Sequence, residues 1–143
     1  AAAVADYQKA LEADTKYPGA VLGLTRHYLR QKQIDAAHVV VSAAEERDRK
    51  GKSDEIKVAR GMVLANQGRF AEARTVITSA SEKNPKNALY PWILARIYED
   101  QKGWDLAEEN YAKAWALDPG NPTLAFEYGL VGHGYVQISD FKI

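Results

Sequence analysis

The stretch Gly51-Lys52-Ser53 carries the residue types that end a nucleotide phosphate loop, in which backbone N–H groups cradle a phosphate and a lysine contacts it. Such a loop needs another glycine five residues before Gly51, and that position holds Glu46. No strand-like run precedes the segment, so its backbone cannot form the phosphate cradle. The segment is therefore interpreted as a solvated loop rather than as a nucleotide site.

Histidines and carboxylates are the other groups suited to chemistry, and their spacing is unfavourable for it. The histidines form no i, i+4 pair and no cluster with metal-ligand spacing, although two of them fall on predicted neighbouring helices. They are His27, His38 and His133. Adjacent acids, which could act as acid and base in principle, resemble the charged faces common on exposed helices. They are Glu45–Glu46, Glu99–Asp100 and Glu108–Glu109. With no cysteine in the chain, the sequence predicts no catalytic residue, no metal site and no cofactor.

The composition is that of a folded domain without a strong electrostatic preference. The 143 residues are 46% hydrophobic and 27% charged, and 19 basic residues balance 19 acidic ones. This balance argues against nucleic acid or an anionic membrane surface as the partner. No run approaches the roughly 18 apolar residues of a membrane span, so no membrane insertion is predicted. A chain without cysteine fits either a periplasmic or a cytoplasmic location.

Two sets of alanines recur with the same spacing and reveal an internal repeat. The first set is Ala3, Ala37, Ala73 and Ala107, and the second is Ala10, Ala44, Ala80 and Ala114. Both advance by 34, 36 and 34 residues. A period near 34 residues in helical sequence is typical of a solenoid of stacked helices.

The spacing divides the chain into units, each with two helices. Full 34-residue units are predicted at 18–51, 54–87 and 88–121, with a two-residue insertion at 52–53. Residues 1–17 correspond to the second helix of a truncated unit, 122–132 to the first helix of a partial unit or cap, and 133–143 to an extended tail. The predicted helices span about 2–14, 18–32, 34–50, 54–67, 70–83, 88–101, 105–118 and 122–132. Small residues at positions 8, 20 and 27 of each unit, among bulky ones, let two antiparallel helices pack closely.

The pattern resembles the tetratricopeptide repeat family, most clearly over residues 88–121. The signature positions there are occupied by Leu94, Ala95, Tyr98, Gly103, Trp104, Ala107, Tyr111, Ala114, Asp118 and Pro119. Departures are Thr15 and Arg49 in place of the proline between repeats, and Lys57 and Pro91 at a usual aromatic position. The resemblance implies an all-α fold, a right-handed superhelical solenoid of antiparallel helix pairs.

In that family the first helix of each repeat lines a concave groove that binds partners. The corresponding positions of this chain are Leu22, Arg26, Arg30, Val58, Met62, Asn66, Trp92, Arg96, Glu99, Phe126 and Leu130. Such a surface suits a peptide with apolar anchors and at least one acidic group, which arginines would bind. An alternative interpretation is that Leu22 and Val58 pack against the next repeat instead. The residues with which some family members grip the C-terminal carboxylate of heat-shock chaperones are absent here.

The resemblance implies a non-enzymatic scaffold that binds a peptide or partner protein, as part of a larger bacterial-type assembly or secretion complex. Two alternatives remain. The chain can be a structural module that forms homo-oligomers through its solenoid ends or C-terminal tail. It can also be the targeting arm of an enzyme whose catalytic domain lies elsewhere in a longer protein.

Overall fold

Seven α-helices account for the regular structure of residues 17–132, the part of the chain that the computed structural model describes, with side chains described as far as Gly129. They are α1 (Tyr17–Arg30), α2 (Ile34–Arg47), α3 (Asp54–Asn66), α4 (Phe70–Lys83), α5 (Leu89–Asp100), α6 (Trp104–Leu117) and α7 (Pro122–Gly132). The all-α prediction is confirmed, and each of these helices begins and ends within three residues of its predicted bounds. The helix predicted at 2–14 and the tail at 133–143 lie outside the described residues. None of the seven is long and apolar enough to cross a membrane.

The chain divides into two compact units, and the boundary in the sequence falls between Ala80 and Ser81, near the end of α4. In the first unit α1 packs against α2 and α3, and α2 packs against α3. In the second unit α6 packs against both α5 and α7. Within their own units, α2 and α6 thus each lie against the helix before and the helix after. The division into repeats at 18–51, 54–87 and 88–121 stays a prediction.

The recurring alanines lie where helices touch. All six described members of the two sets are buried, none more than 2% exposed: Ala37, Ala44, Ala73, Ala80, Ala107 and Ala114. Gly61 has the same role on α3, because a Cβ built there would lie 3.0 Å from Ile77 Cγ1 on α4. Side chains this small allow helix axes to approach each other closely. The period of the alanines therefore corresponds to the positions at which helices contact one another.

The turns inside the helix pairs share one hydrogen bond. The N–H of the residue just before the second helix donates to a carbonyl five residues earlier, an arrangement typical of the Schellman motif. The three bonds are Gln33 to Tyr28 at 2.9 Å, Arg69 to Leu64 at 2.9 Å and Gly103 to Tyr98 at 2.8 Å. The residue before each donor has positive φ: Lys32 at 60°, Gly68 at 83° and Lys102 at 61°. The left-handed residue of the last turn is Lys102, and Gly103, which follows it, has a φ of −85°.

The insertion at 52–53 is held by a carboxylate. Asp48 accepts hydrogen bonds from the backbone N–H groups of Lys52 at 3.3 Å and Ser53 at 3.0 Å. Ser53 then caps α3, since its Oγ accepts from Ile56 N at 3.3 Å. The N-cap is therefore Ser53, whereas Asp54 is the first helical residue. Capping by the extra serine explains how two added residues leave α3 intact.

Candidate functional site

Two of the expected groove residues lie in the core. Leu22 on α1 is 5% exposed and Val58 on α3 is 0% exposed. Their burial follows from the packing of α1 against α3 within the first unit. These two side chains have almost no accessible surface with which to contact a partner. Their burial fits the alternative that they pack within the solenoid.

The other expected groove residues of the first unit remain accessible. Arg30 at the end of α1 and Asn66 at the end of α3 are exposed, while Arg26 and Met62 are half-buried. The amide of Asn66 donates to the backbone carbonyl of Met62 at 2.9 Å, which fixes its orientation. The thioether of Met62 can adapt its shape to an apolar group of a ligand.

In the second unit, Trp92, Arg96 and Glu99 follow one another along α5 at spacings of four and three residues, so they share one face. Trp92 and Glu99 are half-buried, and the Arg96 side chain is 55% exposed. Phe126 on α7, which occupies the position of Trp92 one repeat later, is 67% exposed. Leu130 also belongs to α7, and its side chain lies outside the described residues.

A polar network connects α5, α6 and α7. The buried hydroxyl of Tyr111 on α6 donates to Glu99 Oε2 at 2.8 Å and lies 3.5 Å from Glu127 Oε1 on α7. The other Glu127 oxygen accepts from Trp92 Nε1 at 3.2 Å. Arg96 Nε lies 3.5 Å from Glu127 Oε1. These contacts attach the face of α5 that carries Trp92, Arg96 and Glu99 to both neighbouring helices and hold Trp92 in one orientation.

Burial shapes the protonation of this network. It raises the pKa of Glu99 above the ordinary value, and the hydrogen bond from Tyr111 opposes that rise. Burial also raises the pKa of Asp100, against the attraction of Arg96. The pKa of Tyr111 is far above its ordinary value, first because the ring is buried and second because Glu99 lies beside it. Tyr111 therefore acts as a hydrogen-bond donor throughout the ordinary pH range.

The network changes what Arg96 can offer a ligand. The sequence suggested that Arg96 binds a carboxylate of the partner, yet in the structure it already faces Glu127. A partner carboxylate would have to compete with that contact. Both charges of the pair are accessible to some degree, with side-chain exposures of 55% and 22% for Arg96 and Glu127, so the competition costs little.

Sequence reasoning did not include Tyr111 and Glu127 in the site. Tyr111 occupies a repeat position that is bulky in every unit, and a bulky residue at such a position indicates packing rather than a polar contact. Glu127 follows Phe126 directly and is not among the groove residues assigned from the sequence. The available signal was that Glu127 is the single charged residue of its helix.

Elsewhere, groups with catalytic potential are engaged in structural contacts. The carboxylate of Asp48 accepts hydrogen bonds from the backbone N–H groups of Lys52 and Ser53. These are the groups that would face a phosphate if the segment were a phosphate loop. Arg60 binds Glu45 through two hydrogen bonds of 2.9 and 2.6 Å and lies 2.8 Å from His38 Nδ1. Within residues 17–132, no three histidines or carboxylates form a cluster able to hold a metal ion. His133 lies outside the described residues.

Two models of the tetratricopeptide repeat match the sequence, one over residues 1–60 and the other over residues 58–122. The chain belongs to the tetratricopeptide repeat family. The structure agrees with this assignment in its helix pairs, its buried alanines and the hydrogen bond shared by its turns. No curated protein matches the chain by sequence.

Several solved structures are similar to this tetratricopeptide repeat chain. A chain from the structure of Naa15/Naa10 bound to HypK-THB has a TM-score of 0.69 and 17% identity, with 84% of this chain and 19% of that chain covered. The type III secretion chaperone SycD of Yersinia enterocolitica, in complex with a peptide of the translocator YopD, has a TM-score of 0.58 and 17% identity, covering 92% and 97%. YrrB, a tetratricopeptide repeat protein with an unusual peptide-binding site, has a TM-score of 0.57 and 24% identity, covering 85% and 61%. At such identities the similarity shows the fold alone, and this chain spans less than a fifth of the first of them.

Proposed function

We propose that this chain is a non-enzymatic protein–protein interaction module whose first helices bind a peptide or a partner protein. Support comes from the family, whose members are generally scaffolds, and from similar structures that hold a peptide or carry a peptide-binding site. SycD is a secretion chaperone, which favours an assembly or secretion complex as the setting.

The observation that carries the proposal is the partly exposed face of α5. Trp92 supplies a large half-buried ring, and Arg96 and Glu99 supply opposite charges within two helical turns. Aromatic residues and arginine dominate the energetic centres of protein interfaces, because they bury much area and retain hydrogen bonds. The hydrogen bond to Glu127 orients Trp92 before a ligand arrives, so less conformational entropy is lost on binding.

Arg96 has a matched control on the second helix of the same pair. Lys113 on α6 is 62% exposed and lies 3.8 Å from Glu109, much as Arg96 is 55% exposed and lies 3.5 Å from Glu127. Arg96→Ala and Lys113→Ala therefore each remove one exposed cation that has a carboxylate neighbour. They differ in whether the cation lies on a first or a second helix.

The test uses peptides selected from a random phage-displayed library on the immobilised wild-type chain. For the tightest peptide, Arg96→Ala is expected to raise the Kd about ten-fold, as loss of a contact of about 1.4 kcal/mol requires, while Lys113→Ala leaves it within about two-fold. Circular dichroism checks that both variants are folded. Equal effects of the two substitutions, or a library that yields no binder, would remove the support for the first helices as the binding surface.

A further inference from the structure

A single carboxylate contacts two of the residues on the face of α5. Glu127 Oε2 accepts a hydrogen bond from Trp92 Nε1 at 3.2 Å, and Arg96 Nε lies 3.5 Å from Glu127 Oε1. Each oxygen of the carboxylate thus has its own N–H group, one from an indole and one from a guanidinium. Paired N–H groups, one facing each oxygen, are the geometry with which proteins recognise a carboxylate in a ligand.

The packing of α7 does not require an acid at this position. The equivalent residues of the earlier repeats have no polar side chain. They are Gly23, Ala59 and Ile93. Apolar contacts hold α7 in place, since Leu124 is 0% exposed and Tyr128 packs against the same buried cluster. The ion pair of Glu127 with Arg96 adds little to this, because both side chains are partly exposed. Helix stacking therefore does not account for the carboxylate.

We propose that Trp92 Nε1 and Arg96 form a subsite for a carboxylate of the partner peptide, and that Glu127 fills this subsite in the free chain. This assignment rests on the function proposed above, in which the face of α5 binds a peptide. When the peptide docks, its carboxylate displaces that of Glu127 and takes over both contacts, so Trp92 keeps its orientation. The displaced side chain of Glu127 turns toward solvent, to which it is already 22% exposed.

The other carboxylates near the subsite make an exchange of one acid for another more favourable than a simple addition. Glu99 has its own donor, because it accepts from the Tyr111 hydroxyl at 2.8 Å. Burial first, and the charges of Glu127 and Asp100 after it, raise the pKa of Glu99, so an anion in the subsite repels Glu99. Glu127 already experiences this repulsion. Its replacement by a ligand carboxylate therefore changes the electrostatic energy of the face little.

Three small probes test the subsite without a peptide. N-acetylglutamine carries a terminal carboxylate, its isomer N-acetylglutamate α-amide carries a side-chain carboxylate, and N-acetylglutamine amide is uncharged. Each is titrated at pH 7 and constant ionic strength into the ¹⁵N-labelled full chain. The indole N–H resonance of Trp92, identified among the three tryptophans by its loss in Trp92→Phe, reports binding at this nitrogen.

The titrations compare the wild type with Glu127→Ala, which opens the subsite. Glu109→Ala is the matched control, because it also removes a carboxylate that faces an exposed cation, Lys113 at 3.8 Å on α6. A subsite that is open for about one-tenth of the time binds about ten-fold more weakly than one that is always open. Glu127→Ala is therefore expected to lower the Kd of a carboxylate probe about ten-fold, and Glu109→Ala to leave it within about two-fold.

The uncharged probe is expected to leave the Trp92 resonance unchanged in every variant, and Arg96→Ala added to Glu127→Ala is expected to abolish binding of both acids. The tighter of the two acids identifies the source of the carboxylate as a side chain or a chain terminus. Glu127→Gln keeps the volume without the charge, and is expected to lower the Kd in the same direction. It replaces Glu127→Ala if circular dichroism shows that the alanine variant is unfolded.

Two results would overturn the proposal. One is an equal response to charged and uncharged probes, and the other is the same Kd in the wild type and in the variants of Glu127. Because the titration contains no peptide, its outcome is separate from that of the library selection. A failed selection beside a successful titration would remove the proposed function alone, and the reverse would remove the subsite alone.

Discussion

Replacement of Tyr111 by phenylalanine tests whether the polar network holds the second unit together. The tyrosine ring is 0% exposed and stacks on Tyr128 at a centroid distance of 6.4 Å. Phenylalanine preserves the ring and removes only the hydroxyl. The substitution therefore deletes the donor to Glu99 at 2.8 Å and the weaker contact to Glu127 at 3.5 Å, without creating a large cavity.

The size of the effect follows from the charge of the acceptor. A hydrogen bond to an ionised group contributes about 1.5–3 kcal/mol, and loss of a donor leaves a buried acceptor unsatisfied. Glu99 is only half-buried, so water replaces part of the lost interaction. We expect Tyr111→Phe to lower the free energy of unfolding by about 1–2 kcal/mol at neutral pH.

Urea unfolding followed by circular dichroism measures this difference. Tyr128→Phe is the matched control, because it removes a hydroxyl from the other ring of the stack that bonds to no described residue, and its effect is expected to stay within about 0.5 kcal/mol. A Tyr111→Phe protein as stable as the wild type would refute the reasoning, since Glu99 and Glu127 would then not depend on the hydroxyl.

Three further changes have defined outcomes. Burial, with a contribution from Glu127, raises the pKa of Glu99 in the folded chain, so its contribution to stability is fully present below the ordinary pKa of 4.5 and is lost as pH rises through the folded pKa. Thermal unfolding of Glu99→Gln, which does not titrate, should therefore show a gain over the wild type that grows from pH 4 to pH 7, and a constant difference would contradict this. Gly61→Val should cost about 1–3 kcal/mol by overpacking against Ile77, whereas Lys57→Val at an exposed position of α3 should cost little in the same urea assay. Asn121→Ala should cost about 1 kcal/mol, because Asn121 Oδ1 caps α7 by accepting from Leu124 N at 3.1 Å; no change in urea midpoint would count against that cap.

The fold was predictable because close helix packing requires small residues, and these recur in the sequence with the period of the repeat. Ala37, Ala73 and Ala107 are all buried where helices pack, so the period of these alanines marks the helix contacts. The details that escaped prediction depend on the backbone rather than on size. A left-handed conformation favours glycine by about 1 kcal/mol or more, yet the turn before α6 places Lys102 there, since the shared hydrogen bond fixes the position whatever residue occupies it.

The site was less predictable because coverage depends on neighbouring helices. Helical spacing places Leu22, Val58 and Phe126 at one repeat position, but cannot tell that the first two are covered and the last is 67% exposed. Likewise, spacing along α5 identifies Trp92, whereas its partner Glu127 lies 35 residues away and is brought close only by the packing of α7.

The turns within helix pairs and the loop after α2 differ in how well they can accept inserted sequence. The turns within helix pairs have one length, because a single hydrogen bond joins the residue before the second helix to a carbonyl five residues earlier. The connection after α2 already holds two additional residues, secured by Asp48 and ending in a serine that starts the next helix. An epitope or affinity tag placed between Gly51 and Lys52 would extend a loop that tolerates variation in length, whereas the same tag between Lys32 and Gln33 would separate a helix from its partner.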